Sequence, residues 1–291
     1  MKNYCHNEHP FIHITEFERN RLIKVDIMKC AEPVESPVKF YKRMEKKPDV
    51  LINGGLFYMK DGTPVLTLKD EGKIEHHESW LELGMGIVGD NQIVNGSLHD
   101  GNNYRDFVSG YPILIKNGER QKITYAVELN YRARRTVVGW NKDNVYVVTV
   151  DAPGMTLTEL QGVLLVMGVT EAVNLDGGGS TIKIANDEIC TNSTYVRPVD
   201  NVVAFYVNKH RTVYRVQVGA FQSKQNAENL RKIVSELPDE INAGYKNAFI
   251  KEVNGLYKVQ IGAFSNKKNT RTVVYDLKEK GISPYVVEDS I

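Results

Sequence analysis

One strand is written twice in this chain. Residues 214–221 read Y-R-V-Q-V-G-A-F and residues 257–264 read Y-K-V-Q-I-G-A-F, differing only by an Arg/Lys and a Val/Ile exchange. Each copy alternates with period two and is rich in β-branched and aromatic residues, which predicts a strand. One face carries Tyr, Val, Val or Ile, and Ala. The other carries Arg or Lys, Gln217 or Gln260, Gly, and Phe221 or Phe264. A helical stretch follows each copy. The first runs from Ser223, a plausible N-cap, to Leu237, with Ala227, Leu230, Ile233, Val234 and Leu237 on one face and Pro238 as the stop. The second runs from about Ser265 to Lys280, with Gly281 as C-cap. Strands over 248–253 and 285–287 complete a βαβ–βαβ order. Four strands with two helices on one face make a small ferredoxin- or RNP-like α+β unit over residues 211–291.

This doubled V-Q-[VI]-G-A-F strand with its helix resembles the sporulation-related repeat, or SPOR, family. The resemblance implies binding to peptidoglycan glycan strands. Gln217, Phe221, Gln260 and Phe264 are then the expected sugar contacts; the alternative for the glutamines is that they are merely outward strand residues. Residues 211–291 hold 13 Lys/Arg against 9 Asp/Glu, and the rest of the chain holds 24 against 27. A mildly basic module suits an anionic wall.

The 291 residues leave room for a second, larger domain over 1–210. A net charge of +1 advertises no nucleic-acid partner, and no apolar run approaches the roughly 18 residues of a membrane span. The first ten residues contain no apolar signal-peptide core, so synthesis in a cytoplasm without a cleaved leader is the expectation. Three cysteines (Cys5, Cys30 and Cys190) with no C-x-x-C pair support neither a disulfide framework nor a zinc site. Oligomeric state is not legible.

Residues 1–210 read as a mixed-sheet α/β or α+β domain. Strands are expected over 21–28, 50–52, 144–151, 172–175 and 202–207, with a short helix over 38–46. Thr156 and Glu159 have capping-box spacing and open a helix that Gly168 ends. The strand over 172–175 delivers N-L-D-G-G-G-S-T, residues 174–181. No phosphate-loop or dinucleotide fingerprint is present. Alone, D-G-G-G is compatible with a glycine hairpin turn. It is equally compatible with a nest of backbone N–H groups from Gly177, Gly178 and Gly179, with Ser180 and Thr181 as hydroxyl donors. A second glycine turn, I-N-G-G-L-F (52–57), carries Asn53, Gly54 and Gly55, and R-T (135–136) and R-P-V (197–199) add arginines. Such an inventory can clamp a phosphate and supply acid–base groups. His76 and His77 are adjacent, and adjacent strand side chains point to opposite faces, so no metal site is expected there.

I-N-G-G-x-F, S-G-Y-P-I-L-I, R-T-V-V-G, V-D with G-M-T-L-T-E-L, N-L-D-G-G-G-S-T and R-P-V occur in the order found in phosphodiester glycosidases, which this chain resembles over about residues 45–207. That resemblance implies hydrolysis of a sugar-phosphodiester, of the N-acetylglucosamine-1-phosphodiester kind. Asp176 is the expected central acid, with Asp151 as a second carboxylate paired to it. Arg135 and Arg197 are the expected phosphate or sugar clamps. Asn53, Gly54, Gly55, Thr136, Gly177, Gly178, Gly179, Ser180 and Thr181 are the expected substrate contacts. A hard divalent cation, Ca or Mg, would suit oxygen ligands bridging carboxylate and phosphate, and the sequence does not decide whether one is used. The whole chain then reads as a wall-targeted glycosidase, acting at the bacterial wall on glycopolymers or peptidoglycan, as a phage lysin or autolysin would. The alternatives are a wall-polymer binder without turnover and an intracellular enzyme on soluble sugar phosphodiesters.

Overall fold

The computed structural model describes residues 1–79, 81–123, 129–192, 197–208 and 212–290. The chain divides into two compact units, Met1–Lys209 and His210–Ile291. The expected boundary at 210/211 lies outside the described residues.

The first unit is organised by V-Y-V-V-T-V. Its residues are apolar on both faces because both faces are covered. Val145 and Val147 enter one core cluster, while Tyr146, Val148 and Val150 enter another. This strand, Asn144–Met155, lies third in a seven-stranded sheet. From edge to edge the order is Lys2–Cys5, Ile12–Glu18, Asn144–Met155, Ala133–Trp140, Glu171–Asn174, Ile113–Lys116 and Glu119–Arg120. A five-stranded sheet runs Glu188–Ile189, Lys183–Ala185, Val50–Asn53, Asn201–Val207 and Leu22–Lys29. A third sheet, also five-stranded, runs Lys73–His76, Leu68–Asp70, Tyr104–Ser109, Leu83–Val88 and Gln92–Ser97.

All three sheets contribute to the largest core, through residues such as Val147, Ile52 and Met85. Helix α1, Pro37–Arg43, covers the outer face of the second sheet through Phe40 and Tyr41. Helix α2, Leu157–Val166, covers the outer face of the first through Leu157, Leu160 and Leu164. Its capping box forms as the spacing predicts, with the Thr156 hydroxyl accepting from the Glu159 amide and Glu159 reaching back to Thr156 N.

Every strand pairing among the described residues is antiparallel. The α/β expectation therefore gives way to an antiparallel α+β architecture. Continuous apolar strands usually mark parallel sheets; here the same pattern arises because antiparallel strands are sandwiched on both sides.

The second unit has the strand order Phe249–Val253, Leu256–Phe264, Thr212–Phe221, Tyr285–Ser290. Helices α3, Lys224–Ser235, and α4, Arg271–Glu279, supply Ala227, Val234, Val273 and Leu277 to its core. Ser223 caps α3 as expected, its hydroxyl accepting from Asn226 N. The doubled Gly-Ala-Phe has a steric reason. A Cβ on Gly219 would lie 2.7 Å from the Phe221 ring, and one on Gly262 would lie 2.4 Å from the Phe264 ring. Each glycine makes room for the phenyl two residues on. The ladder slips by one residue between Gln217 and Gly219, so strict alternation fails there. Phe221 and Phe264 pack against the core instead of facing out.

Gly54 is the tightest contact in the first unit. A Cβ there would sit 1.8 Å from Asn201 Oδ1. Gly54→Ala is therefore expected to destabilise the first unit by about 2 kcal/mol or more, as overpacking of a close-packed interior does. Urea unfolding of the variant measures this; a loss within about 0.5 kcal/mol, the range of ordinary surface substitutions, would contradict it.

Candidate functional site

The stretch Asn174–Thr181 leaves the strand Glu171–Asn174, turns through a short 3-10 segment, Gly178–Ser180, and enters the strand Lys183–Ala185. It crosses from the first sheet to the second. Asn53 holds that crossing. Its side-chain amide donates to Asp176 O at 2.7 Å, and its Oδ1 accepts from Thr136 Oγ1 at 2.8 Å and Ile182 N at 3.2 Å. Asn53 and Thr136 are fully buried. Gly54 O accepts from Asp176 N at 3.0 Å. Gly54 N donates to Asn201 O at 2.9 Å and Gly55 N to Asn201 Oδ1 at 2.7 Å. The expected substrate contacts Asn53, Gly54, Gly55 and Thr136 thus spend polar groups on one another, on Asn201 and on the loop. They build the site from behind and do not face a ligand.

The loop borders a cleft of about 340 Å³. Asp176, Gly177, Gly178, Gly179 and Arg197 line one side; Tyr111, Tyr131 and Leu56 form apolar walls. Gly178 takes a left-handed φ of +55°. The amides of Gly178 and Gly179 donate to no described residue, whereas Gly177 N donates to Asp176 Oδ1 at 2.8 Å. Asn174 also lines the cleft. Its Nδ2 donates to Tyr111 O at 2.7 Å, and its buried Oδ1 has no partner.

Arg197 is the cation that meets Asp176 in the cleft. Its Nη2 lies 3.2 Å from Asp176 Oδ2, its Nε donates to Ser180 Oγ at 3.0 Å, and its guanidinium sits 5.6 Å over the Phe57 ring. Burial pushes the Asp176 carboxyl above its ordinary value. The Ser180 hydroxyl, Arg197 and the Gly177 amide oppose that rise without cancelling it. Ser180 and Thr181 are themselves buried, and Thr181 Oγ1 has no partner. Neither hydroxyl lines the cleft.

Asp151 takes another role than the sequence predicts, and Arg135 is partly engaged by backbone. Arg135 is buried, and its guanidinium donates to the carbonyls of Met155 (3.2 Å), Leu129 and Tyr131. Burial lowers its pKa. It lines the cleft while spending its Nε and Nη2 on backbone carbonyls of the wall. Asp151 is not among the residues lining the cleft and shares no partner with Asp176. It lies 3.0 Å from both Arg134 Nη2 and His13 Nε2, and it accepts from Asn192 N at 2.6 Å. Burial alone would raise its pKa, but the contacts from His13, Asn192 and Arg134 outweigh that and hold the carboxyl below its usual range. Arg134 also donates to Thr181 O at 2.9 Å and Gly178 O at 3.3 Å. The Asp151–Arg134 pair therefore braces the loop from outside the cleft. Of the neighbours Arg134 and Arg135, it is Arg135, the expected clamp, that lines the cleft. Neighbouring strand residues face opposite ways, and nothing in the pair itself says which way is in.

Gln217 and Gln260 in the second unit are buried, and Gln260 Nε2 donates to Gln217 Oε1 at 3.2 Å. Gln217 Nε2 donates to Tyr285 OH. They form a cross-strand amide pair rather than exposed sugar contacts. A groove of about 580 Å³ runs along α4 in this unit, but its lining includes no acid, so it lacks the acid–base groups of the first cleft.

Residues 46–206 match the model of the phosphodiester glycosidase family. This chain belongs to that family. Residues 210–288 match the SPOR domain, so the glycosidase domain is followed by a SPOR domain. The N-acetylglucosamine-1-phosphodiester alpha-N-acetylglucosaminidase of Mus musculus is 27% identical over 165 residues, which are 48% of this chain and 32% of that protein. The Homo sapiens protein of the same description is 26% identical over 165 residues. The chain thus spans about a third of the length of these relatives. The catalytic domain of the zebrafish protein of that description, auto-inhibited by its pro-peptide, superposes with a TM-score of 0.53 at 20% identity, covering 70% of this chain and 87% of that one. A hypothetical protein from Synechocystis gives 0.57 at 12% identity, covering 71% of this chain and 61% of that one. Both show the shared fold.

Lys183, the first residue of the strand leaving the loop, is 1% exposed. Burial draws its ammonium down to about 8, against weaker upward pulls from Cys190, Cys5 and Asp151. The unfolded chain holds this proton to about pH 10.4. Below about pH 8 both states are charged and the full penalty is present; above it the native state sheds the proton first, and stability rises with pH. Lys183→Met is therefore expected to stabilise the domain by about 2 kcal/mol at pH 7, with the gain shrinking as pH rises towards about 10. Chemical unfolding at both pH values measures it; an equal or growing gain at high pH would contradict the burial penalty.

Proposed function

We propose that the first domain hydrolyses a sugar-phosphodiester at the sugar carbon–oxygen bond, in the cleft where Asp176, Arg197 and the Gly178–Gly179 amides converge. That convergence carries the reading: the Arg197 cation, two amides without acceptors among the described residues and one carboxyl raised by burial border the same space. Arg197 and the two amides hold the anionic phosphate through charge-assisted hydrogen bonds. Tyr111 and Tyr131 offer flat faces for a sugar ring. Asp176, with a proton affinity moved towards neutrality, takes a proton from the attacking water. Water's oxygen bonds to the anomeric carbon, the carbon–oxygen bond breaks, and its electron pair leaves with the phosphate. A phosphomonoester and a reducing sugar result. Phosphate is already a good leaving group, so most of the work lies in clamping and orientation. The family's curated relatives support an N-acetylglucosamine-1-phosphodiester as the first substrate to try.

The SPOR domain supports peptidoglycan glycan strands as the partner of residues 210–288. Tethering there would raise the local concentration of wall-linked substrate. The whole chain then acts at the bacterial wall.

Two measurements test these parts separately. Asp176→Asn and Arg197→Ala should each lower kcat/KM for an N-acetylglucosamine-1-phosphodiester by about 100-fold or more, with far-UV circular dichroism unchanged. Activity close to wild type in Asp176→Asn would remove that residue from the mechanism. Full-length protein should co-sediment with purified sacculi, and a chain ending at Lys209 should stay in the supernatant. Equal sedimentation of both would end the tethering proposal.

A further inference from the structure

The E-H-H-E segment, residues 75–78, does not line the glycosidase cleft, and its second histidine meets Glu82 and His99. His77 Nε2 lies 3.1 Å from Glu82 Oε1, and His99 Nε2 lies 3.7 Å from the same oxygen. All three donor atoms fall within 4.8 Å of one another. The two imidazoles stand nearly perpendicular, at 78° with centroids 5.4 Å apart.

The backbone fixes this triangle. The strands Leu83–Val88 and Gln92–Ser97 form a hairpin whose open end is the Leu83–Ser97 pair. Glu82 and His99 flank that end, and Leu98 N donates to Glu82 O at 3.3 Å. His77 directly follows the strand Lys73–His76, and Glu78 N donates to Thr67 Oγ1 at 3.0 Å. Ser97 Oγ donates to Glu82 Oε2 at 3.3 Å. The second carboxylate oxygen is thus occupied, leaving Oε1 to the two imidazoles. An outer partner of this kind orients a metal-binding carboxylate.

We propose that His77, Glu82 and His99 bind a divalent transition-metal ion, zinc in the first instance. Two imidazole nitrogens and one carboxylate oxygen are a set that zinc accepts. Tetrahedral zinc at its usual bond lengths separates its donors by about 3.3 Å; the observed 3.1 Å and 3.7 Å bracket that value. The His77 and His99 side chains are 39% and 60% exposed, so water completes the shell. The anchored segment is coupled to the cleft wall: Ser109 Oγ donates to Leu81 O at 3.2 Å and Gly110 N to Leu83 O at 3.1 Å, next to Tyr111. The proposal is independent of the glycosidase reading.

Isothermal titration of the full chain with zinc chloride tests it, with variants checked by circular dichroism. His6 and His9, stacked at 5.3 Å, are a rival zinc site, so a His6→Ala/His9→Ala variant serves as the control. One equivalent of zinc should bind wild type and that control alike. His77→Ala/His99→Ala should bind at least about tenfold more weakly, and Glu82→Gln should be weakened in the same direction. No binding at millimolar zinc would overturn the proposal. So would unchanged binding by His77→Ala/His99→Ala, or binding lost only with His6 and His9.

Discussion

The buried side chain of Asn53 joins everything that makes the site. One amide ties the end of a strand in the second sheet to a hydroxyl in the first, Thr136, and to both ends of the glycine loop, at Asp176 O and Ile182 N. Leaving any of these buried groups without a partner would cost about 1–3 kcal/mol. The amide donates from nitrogen and accepts at oxygen, so an aspartate in its place would lose the donor that fixes Asp176. Behind it, Asn201 occupies the space that Gly54 leaves open and accepts both glycine amides. The I-N-G-G turn is therefore a bracket for the loop that faces the ligand.

That bracket separates two acid–arginine pairs that look alike in sequence. Asp151 is buried and Arg134 half-buried, the pair is matched, and Arg134 clamps the loop through Gly178 O and Thr181 O. Asp176 and Arg197 are less fully satisfied and open onto a cleft bordered by amides without acceptors. Burial raises one carboxyl, while in the other the hydrogen bonds win. A carboxyl displaced upward beside a cation in a cleft fits proton transfer; one held down by three donors fits structure.

Much of this was legible in the chain before any coordinates. The doubled strand and its helices, the capping box at Thr156 and the importance of the loop after Asn174 all follow from local chemistry. Family membership over residues 46–206 and the SPOR domain over 210–288 agree with the motifs that point to them. Sheet direction was not legible, because V-Y-V-V-T-V is equally apolar whether its neighbours run parallel or antiparallel. Nor was the division of labour among polar residues. Asn53, Arg135 and Gln217 look available in sequence and are engaged by partners from 4 to 129 residues away in the chain. Phe221 and Phe264 pack on the core beside two places where the ladder slips by one residue, which strict period-two alternation does not anticipate. Asn174 and Tyr111 carried no local signal beyond lying inside recognisable motifs, and Arg134 none beyond preceding one.

The central claim concerns which bond breaks. Hydrolysis of an N-acetylglucosamine-1-phosphodiester in water enriched in oxygen-18, followed by mass spectrometry of both products, reads this directly. Attack at the anomeric carbon puts the label in the sugar hydroxyl and leaves the phosphomonoester unlabelled, the result expected here. Label in the phosphate would show cleavage at phosphorus, and would contradict the roles given to Asp176 and Arg197.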